Sequence, residues 1–155
     1  MKKLLFLLAV SALGVLLTFA SFAASTVYVD GVGTDTDCYA TFPEATAAVD
    51  NGGTVILTAN ITTRTGSGGE TWAAKDITVT SNGSAVLTFG RVVNLGGDTT
   101  FENIKIANAA SSGLDILYCC GHDLVIGDGV TTTFNSSTSR YLIIYAGTGT
   151  TVATN

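Results

Sequence analysis

Five segments of this chain repeat one pattern: Gly53-TVILTANIT, Lys75-DITVTSNGS, Gly97-DTTFENIKI, His122-DLVIGDGVT and Thr148-GTTVATN. Their starts lie 22, 22, 25 and 26 residues apart. Set in register, one column reads Leu57, Val79, Phe101, Ile126 and Val152, and two residues earlier another reads Val55, Ile77, Thr99, Leu124 and Thr150. Between them runs Ile56, Thr78, Thr100, Val125 and Thr151. Successive strand residues point to opposite faces, so the first two columns face inward and the Thr-rich one faces outward. A second strand repeats at the same interval, as Val92-Val93-Asn94-Leu95-Gly96, Leu117-Tyr118-Cys119-Cys120-Gly121 and Ile143-Ile144-Tyr145-Ala146-Gly147. That alignment sets Cys120 beside Leu95 and Ala146 as a buried filler. A β-sandwich also has short, evenly spaced strands, but it does not predict like residues stacking at one coil length. The pattern predicts an all-β chain wound as a solenoid, each coil resting on the last.

A solenoid's first coil exposes its apolar interior unless something covers it. Thr41-Phe42-Pro43-Glu44 supplies a hydroxyl N-cap with a carboxylate three residues on, the pattern of a capping box. Phe42, Ala45 and Val49 then share one helical face, with Ala48 beside them, and Asn51-Gly52-Gly53 is a helix stop. The chain is therefore expected to form a strand over 26–30, a capping helix over 41–51, and about four coils over 54–155.

The segments "TVYVDG" and "YATFPEATAAVDNGGTVILTANIT" resemble the first part of right-handed parallel β-helix proteins of the pectate-lyase-like superfamily. Within that fold the chain is most similar to bacterial repetitive surface proteins and adhesins, and the resemblance covers most of 26–155. It implies a right-handed, three-faced coil and a secreted or cell-surface location. Fold alone does not fix function.

Location has separate support. Lys2 and Lys3 precede an apolar run from Leu4 to about Phe19, followed by Ala20-Ser21-Phe22-Ala23-Ala24. A basic start, an apolar centre and small residues before a cleavage point read as a secretory signal peptide over 1–23. A retained membrane anchor needs a longer apolar span. Residues 24–53 then form the strand and capping helix, and 54–155 the coils. Losing two cations takes the formal charge from −5 to −7. An acidic chain without a basic run argues against nucleic acid and anionic lipid as partners. Cys38, Cys119 and Cys120 show neither C-x-x-C spacing nor a histidine cluster, so zinc is not indicated. A bridge from Cys38 to one of the pair and small apolar packing are both open, and packing is the simpler reading.

Candidate chemistry is sparse. Asp76, Asp98 and Asp123 form the one carboxylate column, suited either to a hard cation such as Ca²⁺ or to capping N–H groups at a corner. Neighbours about 5 Å apart repel by only about 1 kcal/mol in water, so the column does not require a metal. Asp30, Asp35 and Asp37 lie in a Gly-x-Gly-x-Asp loop resembling half of a calcium-binding nonapeptide, but it occurs once. His122 adjoins Asp123, and Trp72 and Tyr141 are the aromatics that could stack on sugars. Arg64, Lys75, Arg91, Lys105 and Arg140 form no column to serve as the base of a lyase.

Two functions fit this sequence: a structural, adhesive or glycan-binding surface module, and a polysaccharide lyase or hydrolase, or a fragment of one, acting on acidic polysaccharide. Expected partners are a polysaccharide or another surface protein. No catalytic residue and no cofactor is assigned. The last repeat, Gly149 to Asn155, stops early in a coil, which predicts the N-terminal part of a longer solenoid or self-association through an open last coil.

Overall fold

The computed structural model describes residues 24–64, 68–109, 117–133, 144–145 and 151–154. The expected signal peptide over 1–23, Arg140, Tyr141 and residues 148–150 and 155 of the final repeat lie outside the described residues.

The chain forms a β-solenoid whose coils each contribute one strand to each of three parallel sheets. The first coil holds β3 (Val49–Leu57), β4 (Ile61–Thr62) and β5 (Glu70–Thr71), and the second β6 (Ile77–Ser81), β7 (Val86–Phe89) and β8 (Val93–Asn94). The third holds β9 (Thr99–Phe101), β10 (Lys105–Asn108) and β11 (Leu117–Tyr118). The fourth holds β12 (Leu124–Ile126), β13 (Thr131–Thr133) and β14 (Ile144–Tyr145), and β15 (Val152–Thr154) follows on the first sheet. Ahead of the coils, β1 (Ala24–Val29) pairs parallel with β3, and β2 (Cys38–Tyr39) pairs parallel with β1. The first sheet thus has seven strands, ordered β15-β12-β9-β6-β3-β1-β2, while the other two have four each, ending at β4 and β5.

Alternation along the strands sorts the side chains as the sequence predicts. Val55, Val79 and Phe101 are fully buried and stack in register, with Ile126 next in the column. Thr54, Thr78, Thr100 and Val125 stack on the outer face. The register of the two end coils differs by two residues from the apolar match. Ile77 pairs with Gly53 rather than Val55, and Val152 pairs with Leu124 rather than Ile126. At Gly53 the reason is local. A Cβ there would lie 2.6 Å from Val49 Cγ2 and 2.9 Å from the Ser25 carbonyl oxygen, so the Val49 side chain occupies that interior slot.

The cap is a helix, α1 (Phe42–Ala48), shorter than the expected 41–51. The capping box is present: Glu44 N–H donates to Thr41 Oγ1 at 3.4 Å, and Thr41 N–H donates to Glu44 Oε2 at 3.1 Å. The helix stops because Val49 turns to extended geometry, not because of the glycines. Asn51 and Gly52 fall inside β3 instead, where the register with β1 jumps and Gly52 takes φ +80°. Phe42, Ala45, Thr46 and Val49 are buried against the first coil. Phe42 stacks on Trp72 with ring centroids 4.9 Å apart, and Trp72 meets Phe101 edge-on at 6.3 Å. Trp72 is only 2% exposed, so it is a core residue and not a sugar platform.

The cysteine alignment shifts by one residue. Leu117 pairs with Val93 and Tyr118 with Asn94, which brings Cys119, not Cys120, into line with Leu95. Cys119 is buried, whereas Cys120 is exposed at φ +56°, forming the corner with Gly121. All three thiols are free. Among the described residues no helix is long and apolar enough to cross a membrane.

Candidate functional site

Asp76, Asp98 and Asp123 each stand one residue before a strand of the seven-stranded sheet, at the same corner of successive coils. The residue in front of an inward-facing one faces outward, so each aspartate shares the outer surface with the residue two positions on: Thr78, Thr100 and Val125. A shallow furrow of about 300 Å³ runs across the coils here, lined by these six residues together with Gly52, Ile77 and Thr99.

The three carboxylates are joined by a directional ladder. Asp76 N–H donates to Asn51 Oδ1 at 2.9 Å, Asp98 N–H to Asp76 Oδ1 at 3.0 Å, and Asp123 N–H to Asp98 Oδ1 at 2.8 Å. Thr151 N–H completes it on Asp123 Oδ1 at 2.8 Å. Main-chain bonds run beside it, from Gly52 N–H to the Asp76 carbonyl and from Ile77 N–H to the Asp98 carbonyl. The aspartates therefore carry the sheet's hydrogen bonding around the corner, which is the corner-capping role open to them in the sequence. Each uses Oδ1, and the Asn51 amide reaches Asp76 Oδ2 at 3.5 Å.

His122 lies at this corner too, but its nearer carboxylate is Asp98, with Nδ1 4.0 Å from Oδ1. Lys75 does not face the furrow. Its Nζ donates to the carbonyls of Ala47 (2.7 Å) and Val49, where it neutralises the negative end of α1.

The 30–37 loop is organised around its own backbone. Asp30 Oδ1 accepts N–H groups from Val32 and Gly33, both at 2.7 Å, and these bonds hold the Asp30 pKa below the usual carboxylate value. Asp37 sits at φ +57° and gives its carbonyl to Tyr28 N–H. Neither aspartate set converges: among the described residues no three His, Cys, Asp or Glu side chains form a metal-ligating group.

A second concavity escaped the sequence reading. A cleft of about 660 Å³ opens between the start of α1 and the first coil, lined by Ala40–Pro43, Ile61–Arg64 and Gly69–Thr71. Glu70 belongs to it, and the parallel pairings place Glu70 in one column with Val93, Leu117 and Ile144. A carboxylate among aliphatic residues is a visible signal once that column is known. The segment Ile61–Thr71 lacks the apolar alternation needed to find the column from sequence.

Fold and site geometry together define a β-solenoid of about four turns with a polar furrow along one face. No family model, curated protein or solved structure matches the chain.

Proposed function

We propose that this protein is an exported β-helix module of the bacterial cell surface, of the pectate-lyase-like and adhesin type, that holds a neutral glycan chain along its furrow. The single observation behind this is the repetition of one Asp–Thr pair, Asp76 with Thr78 and Asp98 with Thr100, on adjacent coils. Coils rise by about 4.8 Å, so the furrow offers a polymer the same hydroxyl and carboxylate acceptors at a fixed interval. A carboxylate with one oxygen already hydrogen-bonded is rigid, and its second oxygen can accept sugar hydroxyls. Right-handed winding agrees with the strong preference of parallel crossovers for that hand. Residues 1–23 supply the export signal in this reading.

The acidic corner and a formal charge of −7 once residues 1–23 are removed disfavour a polyanionic ligand. Titration calorimetry with neutral oligosaccharides of increasing length tests the proposal. Affinity should rise with length over the first few sugars and fall about tenfold in a Thr78→Val, Thr100→Val variant, the loss of one or two hydrogen bonds. Length-independent binding, or an unaffected variant, overturns it. Calcium has no part in this reading, so added Ca²⁺ or a chelator should leave Tm unchanged.

His122 beside Asp98 favours a second reading, a lyase or hydrolase on acidic polysaccharide with His122 as the base. Ultraviolet-absorbing unsaturated products, lost in His122→Ala, would establish a lyase; reducing ends without that absorbance would indicate a hydrolase.

A further inference from the structure

The cleft beside α1 is where two strands are missing. The seven-stranded sheet continues past β3 with β1 and β2, but the other two sheets stop at β4 and β5. The turn of the solenoid that begins with β1 therefore has a strand in one sheet and none in the other two. Helix α1 covers part of that end, and the cleft is what it leaves open.

Main-chain direction gives the cleft its chemistry. Thr63 N–H donates inward along the stack to the Thr88 carbonyl, and Glu70 and Trp72 donate to the carbonyls of Val92 and Asn94. Strand alternation then turns the N–H and C=O of Thr62 and Thr71 the other way, toward the cleft. Such an edge is the template used in strand addition. Ala40, Pro43 and Ile61 add an apolar wall.

Glu70 decides what the strand must carry. Its carboxylate is fixed by two neutral donors, Trp72 Nε1–H on Oε1 at 2.8 Å and Arg64 N–H on Oε2 at 2.9 Å. Among the described residues no cationic side chain lies within ion-pair distance of it. Arg64 is exposed on the cleft wall and ties to Glu70 only through its main chain. A residue added above Glu70 in its column would lie one strand spacing away, so a lysine or arginine there meets an unpaired carboxylate in a half-buried setting.

We propose that the cleft binds an extended peptide segment bearing a basic residue, which adds as a parallel strand to β5 and sets its cation over Glu70. Trp72 is the sole tryptophan and donates to Glu70, so its fluorescence reports the event directly.

The test uses protein purified after expression from its full sequence and three synthetic Thr-Val repeat decapeptides. One carries a central lysine, the second norleucine in its place, and the third is the lysine peptide N-methylated at alternate residues. The lysine peptide should give a saturable change in Trp72 emission, and the other two should bind at least tenfold more weakly. Glu70→Gln removes the charge, keeps an acceptor for Trp72 Nε1–H and sets an amide NH2 opposite the Arg64 N–H, and in that variant lysine and norleucine peptides should bind alike, with the melting curve confirming its fold. Equal binding of lysine and norleucine peptides to the parent protein overturns the role of Glu70. Undiminished binding of the methylated peptide overturns strand addition, leaving an amine site. No saturable change at millimolar peptide overturns the proposal entirely.

Discussion

Residue by residue, the three thiols differ in what surrounds them. Burial first, and the neighbouring Cys120 second, push the Cys119 thiol above the usual cysteine value. Cys38 is raised as well, by desolvation and then by the Asp30 carboxylate it faces. Cys120 is exposed at the corner. Iodoacetamide at pH 8, followed by peptide mass mapping, should therefore modify Cys120 first, Cys38 more slowly and Cys119 only on unfolding, because thiolate and access both set the rate. Early labelling of Cys119 would contradict the register of the third coil. Asp30 gives a pH signature. Its folded pKa is lowered by the Gly33 and Val32 N–H groups, so its contribution is complete above the ordinary carboxylate value and disappears as pH falls through the lowered one. The Tm difference between the parent and Asp30→Ala should shrink across that acid window and stay constant above it. A difference that grows on acidification would reverse the assignment.

Among the elements, the corner ladder and the cap hold the coils in place. Asp98→Asn keeps an oxygen for the Asp123 N–H and should change stability little, whereas Asp98→Ala orphans that N–H and should cost about 1 kcal/mol in urea titration. Equal losses from both would mean that charge, not acceptance, is what the ladder needs. Sequence and structure agree here unevenly, for physical reasons. A strand has period two, so the two-residue slips at Gly53 and Val152 left every inward column inward. The one-residue slip at Cys120 did the opposite and put an exposed thiol in the core. The capping box is local chemistry and was legible, down to Thr41 and Glu44. The helix end was not, because Gly52 in a left-handed conformation serves a strand bulge as well as a helix stop. The Asp column was legible as an alignment, while its use depends on where each N–H points. Glu70 was hidden because β4 and β5 are two residues each, too short to show a period.

Taken whole, the molecule is a stack in which each coil touches chiefly its neighbours, so damage to the middle costs more than damage to the outer face. Phe101 is fully buried, meets Trp72 and Phe89, and links the second and fourth coils through β6 and β12. Phe101→Ala should lose about 3–5 kcal/mol, and Phe101→Asp should leave no cooperative melt. Thr100→Asp, one residue away on the outer face, should stay within about 1 kcal/mol. Similar outcomes for the two positions would invalidate the inside and outside assigned to the sheet. The corner ladder has one further consequence. Every step runs from an N–H later in the chain to a side-chain oxygen earlier in it, from Thr151 back to Asn51. In this side-chain ladder a chain emerging from its N-terminus offers each acceptor before its donor arrives, while the main-chain bonds beside it, such as Ile77 N–H to the Asp98 carbonyl, wait for the coil to come. Each new coil thus finds an acceptor already placed and satisfies a donor the previous coil left open, and chains halted after successive coils should gain protease resistance one coil at a time.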